Sequence, residues 1–165
     1  MHGVFVAVLM GSDSDLPTVQ GTIDILHQFQ IPYEVKITSA HRTPQATVSY
    51  VQDAEARGCA VFICAAGLAA HLAGAVAAQT LRPVIGIPID SGPLTGLDAL
   101  LSTVQMPGGV PVACMAIGRA GAKNAAYLAG QILSLFDPEL ALRMRADREA
   151  CAVGIQVKDA SLRRG

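Results

Sequence analysis

Apolar and polar residues fall in blocks that predict a repeating strand–helix chain. "VFVAVLM" (4–10) is an unbroken apolar run of strand length, rich in valine. "GSDSDLP" then turns polar, and Leu16, Val19, Ile23 and Leu26 recur at spacings of three and four, which puts them on one helix face. "YEVKIT" (33–38) alternates, predicting a more exposed strand. Pro44 suits the first turn of a second helix that ends near Gly58. "AVFICAA" (60–66) predicts a third strand and is followed by a helix around 70–80. "PVIGIP" (83–88) is the fourth strand, "TGLDALLSTV" (95–104) a helix, "QMPGG" a loop and "VPVACMAI" (110–117) the fifth strand. The next helix runs over 119–136, with Ala122, Ala125, Ala129, Ile132, Leu133 and Phe136 on one side, and a terminal helix follows Pro138.

Apolar strands alternating with helices imply a parallel sheet covered on both faces, with right-handed crossovers. Five strands fit the order 2-1-3-4-5, an α/β three-layer flavodoxin-like fold. No linker or repeat divides the 165 residues, so one domain is expected over 1–165, with a core at 4–136 and a terminal helix and tail at 138–165. In such sheets ligands bind beyond the carboxyl ends of the strands, and that rule sorts the candidate residues.

Composition changes this picture in one respect. Hydrophobic residues make up 52% and charged residues 15% of the chain, against roughly 25% charged in typical soluble domains. A surface short of charge is expected to bury itself against copies of the chain, as a homo-oligomer. The net charge of −1 gives no global field for nucleic acid or an anionic membrane. The basic residues Arg143, Arg145, Arg148, Lys158, Arg163 and Arg164 are mixed with acidic ones and read as a solvated helix and tail.

Residues 58–81 carry no Asp, Glu, Lys or Arg. They divide into a β-rich run and an alanine-rich one holding His71 and Gln79, a poor membrane span. The amino-terminal "GVFVAVLM" has no basic segment before it and no small-residue cleavage site, so it reads as a strand rather than a signal peptide. Cys59, Cys64, Cys114 and Cys151 show no CxxC spacing, which predicts buried free thiols and a reducing, cytoplasmic setting.

Candidate chemistry gathers after the strands. "GSDSD" (11–15) follows the first. Ser12, Asp13 and Ser14 are either plain helix caps or part of an anion site, and Asp15 could accept hydrogen bonds from ribose hydroxyls. "SAHRTP" (39–44) follows the second. Arg42 can hold a phosphate with a bidentate fork, His41 can move a proton and Ser39 adds a hydroxyl; a plain loop histidine beside a surface arginine is the alternative.

"AAGLAAHLAG" (65–74) follows the third. Its small residues let backbone approach a ligand, and His71 is either a site residue or a packed side chain bonded to backbone. "DSGPLTGLD" (90–98) and "GRAGAKNA" (118–125) could rim a pocket, with Lys123 and Asn124 as polar contacts, or serve as turns. No GxGxxG, Walker loop, GxSxG elbow or HExxH is present. What remains is a phosphorylated small molecule beside a histidine.

The set "MGSDSD", "SAHRTP", "AAHLAG", "PVIGIP" and "LLSTVQMPGGVPVACMAIGRAGAKNAAYLA" resembles the PurE family of N5-carboxyaminoimidazole ribonucleotide mutases, in order over residues 4–135. The resemblance implies a flavodoxin-like homo-octamer that uses no metal and no organic cofactor. It implies transfer of a carboxylate from N5 to C4 of an aminoimidazole ribonucleotide in purine biosynthesis, through release and recapture of CO2. Ser12, Asp15, Ser39 and Arg42 would hold ribose and 5′-phosphate, His41 would be the catalytic proton shuttle, and His71 would lie over the imidazole. Ala40, Gly67, Ala70 and Leu72 would form the pocket wall.

Two alternatives stand beside the mutase: an aminoimidazole ribonucleotide carboxylase using CO2 directly, and a non-catalytic phospho-ligand module. The family loop GGAAHLPG reads GLAAHLAG here, with Leu68 for glycine and Ala73 for proline. If position 68 requires a positive φ, leucine is strained there.

Overall fold

The computed structural model describes residues 3–162. The last three tail residues, "RRG" (163–165), lie outside the described residues. Chain order gives β1 (Phe5–Met10), a short turn of helix at Asp13–Asp15, α1 (Leu16–Gln28), β2 (Tyr33–Ile37), α2 (Pro44–Ala56) and β3 (Cys59–Ala66). There follow α3 (Leu72–Ala77), β4 (Val84–Pro88), α4 (Leu97–Val104), β5 (Ala113–Cys114), α5 (Arg119–Ser134) and α6 (Pro138–Leu162). All strands pair in parallel in the order β2-β1-β3-β4-β5, as the strand–helix repeat predicts.

Side chains of β1 point alternately to two cores, as strand geometry requires. Val6, Val8 and Met10 join Val19, Leu26, Ala122, Ala125 and Ala129 of α1 and α5. Phe5, Ala7 and Leu9 join Val51 and Ala54 of α2 and Leu72 and Val76 of α3. The alanines of α5 keep that helix close to α1, and Thr22 Oγ1, buried at the contact, donates to the Ala122 carbonyl at 2.7 Å. Gly121 marks the tightest place: a Cβ there would lie 1.6 Å from the carbonyl oxygen of Ala116.

The edge strand β2 is exposed, as its alternation suggests, and it is tied to α2 by side chains. Arg57 pairs with both carboxylate oxygens of Glu34, with the Nη2–Oε2 contact at 2.9 Å. Tyr50 donates to the same carboxylate at 3.1 Å. The Arg57 hydrogen bonds hold the Glu34 carboxyl below its ordinary range, against a smaller opposing effect of burial.

Four expectations are corrected. The fifth strand is not 110–117 but two residues long: Pro111 has no N–H to give the ladder, and beyond Cys114 the bonds to β4 are isolated ones, Met115 N–H to the Gly86 carbonyl and Gly118 N–H to the Pro88 carbonyl. α3 is six residues, not the eleven of 70–80, because the chain leaves the helix at Ala78 for the turn that reaches Pro83. Leu16 is 41% exposed; it is the first residue of α1, at the rim of the sheet where the core stops. Phe136 is 90% exposed because α5 ends at Ser134, and helical spacing no longer governs its direction. The thiols divide as well: Cys59 and Cys64 are buried, Cys114 is half-buried and Cys151 is exposed on α6, all free.

Candidate active site

The loops after β1, β2, β3 and β4 enclose a pocket of about 360 Å³ at the carboxyl end of the sheet. The first loop builds its floor. Ser12 caps the helical turn, its hydroxyl accepting from Ser14 N–H at 3.3 Å while its own N–H reaches Asp15 Oδ2 at 3.2 Å. That reciprocal box fixes Asp15 facing the pocket although it is only 7% exposed. Burial raises the Asp15 carboxyl above its ordinary value; the Ser12 N–H opposes the rise and the neighbouring Asp13 adds to it.

The second loop is held by its own hydroxyls. Ser39 Oγ accepts Arg42 N–H at 3.1 Å, and Thr43 Oγ1 accepts Ser39 N–H at 3.0 Å. Pro44 then starts α2 with a fixed φ. This turn presents His41 and Arg42 outward. Among the described residues the Arg42 guanidinium has no hydrogen bond or ion pair within the chain, so it can take an anion.

The third loop brings the second imidazole to the first. His41 Nε2 lies 2.8 Å from His71 Nδ1, with the rings nearly perpendicular at 76°. One nitrogen must donate and the other accept. The two residues are exposed, yet both line the pocket with Ser12, Asp15, Ser39 and Arg42. A proton taken by His41 from outside can therefore be redistributed within a bonded pair.

Gly67 packs against Ser91, whose Oγ would lie 2.1 Å from a Cβ at 67 and would have to rotate away from it. Leu68 adopts φ +56°, the condition under which leucine is strained, at about 1–2 kcal/mol. Its side chain crosses to the β4 loop, where a Cβ on Gly92 would lie 2.5 Å from Leu68 Cδ2. Ala73 is buried in the first turn of α3, inside an intact helix.

Ser12, Asp15, Ser39, Ala40, His41, Arg42, Gly67, His71 and Leu72 all line the pocket. Ala70 does not. It is 2% exposed and turned toward α4, where its N–H donates to Ser102 Oγ at 3.0 Å. Lys123 and Asn124 are not at the pocket either; the Lys123 stem lies against Gly21 of α1. Ser91, Leu68 and Ala69 also line it; the sequence placed each only within a loop that could border a pocket, not as a site residue. For Ser91 that placement after β4 is the one signal the sequence carries. Among the described residues no cluster of three or more His, Cys, Asp or Glu could hold a metal ion, and no helix is long and apolar enough to cross a membrane.

Comparison with known proteins agrees with this geometry. The family model of AIR carboxylase matches residues 5–153. The chain is 54% identical over 144 residues to an N5-carboxyaminoimidazole ribonucleotide mutase of Bacillus subtilis, covering 87% of this chain and 89% of that one. It is 51% identical over 159 residues to a Mycobacterium tuberculosis protein of the same name, covering 96% and 90%. The crystal structure of Treponema denticola PurE superposes with a TM-score of 0.88 at 33% identity, covering 97% of this chain and 99% of that one. Matches of this identity over most of the chain, on a matching fold, leave one assignment: the chain belongs to the AIR carboxylase, or PurE, family.

Proposed function

We propose that the chain is an N5-carboxyaminoimidazole ribonucleotide mutase, an isomerase that moves a carboxylate from the exocyclic N5 to ring carbon C4 in purine biosynthesis. The observation that carries the reading is the His41–His71 contact of 2.8 Å inside a pocket whose rim holds an unpaired guanidinium. Arg42 and the helix start at Ser12 take the 5′-phosphate, and Asp15 and Ser39 hold the ribose. Ala40, Gly67 and Leu72 wall the imidazole, with His71 above it.

His41 as an acid protonates the carbamate nitrogen, and the N–C bond breaks to give CO2 and the enamine-like aminoimidazole. C4 attacks the retained CO2, and the neutral His41 removes the C4 proton, which restores the starting protonation. Holding CO2 against the ring makes the second bond-forming step local, and the apolar loop at 67–72 limits water. Assembly as a homo-octamer in the cytoplasm goes with this reading. Support for self-association comes from apolar side chains left uncovered in one copy, such as Leu81, fully exposed, and Leu101, 51% exposed.

Two measurements test the assignment. With N5-carboxyaminoimidazole ribonucleotide as substrate, turnover is expected; with aminoimidazole ribonucleotide alone at low bicarbonate, none. Turnover from the second alone would identify a direct carboxylase instead. Arg42→Ala is expected to weaken ribonucleotide binding by about 10–100-fold, the size of a charge-assisted hydrogen-bonded contact. Full affinity in calorimetry would remove Arg42 from the phosphate role.

A further inference from the structure

The site depends on one contact between loops that are far apart in sequence, so something must fix the height of the His71 loop. That loop has few attachments of its own. Its backbone bonds include His71 N–H to the Ala69 carbonyl at 2.9 Å, which is internal to the loop and does not tie it to the sheet. Leu68 packs on the β4 loop, and the hydrogen bond from the loop backbone to another element runs to α4, which contributes nothing to the pocket lining.

Ser102 Oγ donates its one hydrogen to the Asp98 carbonyl at 2.7 Å, one turn back in its helix. With the hydrogen so placed, a lone pair faces Ala70, whose N–H donates to it at 3.0 Å. Ala70 directly precedes His71 and is 2% exposed. Among the described residues its N–H has no other partner. Thr103 Oγ1 lies 3.4 Å from the Ala70 carbonyl, but its hydrogen is better placed on the Ala99 carbonyl at 2.7 Å. The strong external bond to this peptide is therefore the one to Ser102.

We infer that Ser102 is a positioning residue: by accepting the Ala70 N–H it sets the height of His71 and so the His41–His71 hydrogen bond. Without that oxygen the buried N–H must find water or move, and His71 moves with the next peptide. An error of about 1 Å is enough to impair a positioned proton-transfer pair. The phosphate-holding residues Ser12 and Arg42 lie on other loops and are untouched.

This inference rests on the mutase reading for its kinetic readout but not for its spectroscopic one. Ser102→Ala is expected to lower kcat by about 10–100-fold with KM changed less than about twofold, and Ser102→Thr, which keeps the hydroxyl, to recover most of the loss. In the same proteins, 15N-imidazole NMR should show a through-hydrogen-bond coupling between His41 Nε2 and His71 Nδ1 in the parent and in Ser102→Thr, and none in Ser102→Ala. Should Ser102→Ala fail to fold, Ser102→Cys, similar in size and a weak acceptor, carries the same comparison. A parent-like coupling and kcat in Ser102→Ala overturn the inference, as does a loss that the threonine does not restore. If the parent itself turns over no N5-carboxylated substrate, the mutase reading falls while the coupling still decides the role of Ser102.

Discussion

Replacing His41 by asparagine is expected to cut turnover by at least about 10²-fold while ribonucleotide affinity stays near that of the parent. Asparagine keeps a polar group in the loop but ends short of the Nε2 that lies 2.8 Å from His71 Nδ1, so it gives up that contact while leaving Ser12, Ser39 and Arg42 in place. It can neither deliver a proton to the carbamate nitrogen nor remove one from C4. Since every tenfold in rate is about 1.4 kcal/mol of barrier, the expected loss is about 2.7 kcal/mol or more. Single-turnover kinetics and calorimetry on the same variant separate the two effects. Unchanged turnover would take His41 out of the proton path. A non-catalytic phospho-ligand module predicts instead no turnover in the parent and ligand binding that His41→Asn leaves intact.

The largest expected stability effect is remote from this pocket. Gly121→Ala puts a methyl group 1.6 Å from the Ala116 carbonyl oxygen and 2.6 Å from its carbon. Both are backbone atoms, so no side-chain rotation relieves the overlap, and α5 must move away from the segment that precedes it. Overpacking of this kind costs about 3 kcal/mol. For a chain of this length that is about 6–12 °C in Tm. Gly154→Ala serves as the contrast. It lies in α6 with no atom within 4 Å of the new methyl, and helix propensity alone favours it by up to about 1 kcal/mol. Calorimetric melting of the two variants checks both, and a Gly121→Ala protein melting within about 2 °C of the parent would contradict the packing argument.

Much of this architecture is legible in the residues. Unbroken runs such as "FVAVLM" have the length and valine content of strands buried on both faces, and their alternation with helices points to a parallel sheet. The carboxyl-end rule then selects the loops at 11–15, 39–44 and 65–74, which do line one pocket. The contact between His41 and His71 is not legible from spacing, because thirty residues separate them and the meeting depends on the tilt of two loops. Ala70 was misplaced for a related reason. In a loop without periodicity, neighbouring small residues give no sign of which one faces the ligand and which one faces α4. The brevity of β5 turns on pairing partners that lie on another strand, so an apolar run of eight residues overstates it.

Leu68 and Gly92 cannot drift independently. As long as leucine crosses the gap between the third and fourth loops, any side chain arriving at 92 meets it at 2.5 Å. Glycine at 68 would relax that backbone and remove the overlap, yet position 92 keeps φ +74°, where any side chain is strained on its own account. A newcomer at 92 therefore faces two separate obstacles, its own backbone and its neighbour across the gap, and only the second is removed by changing 68.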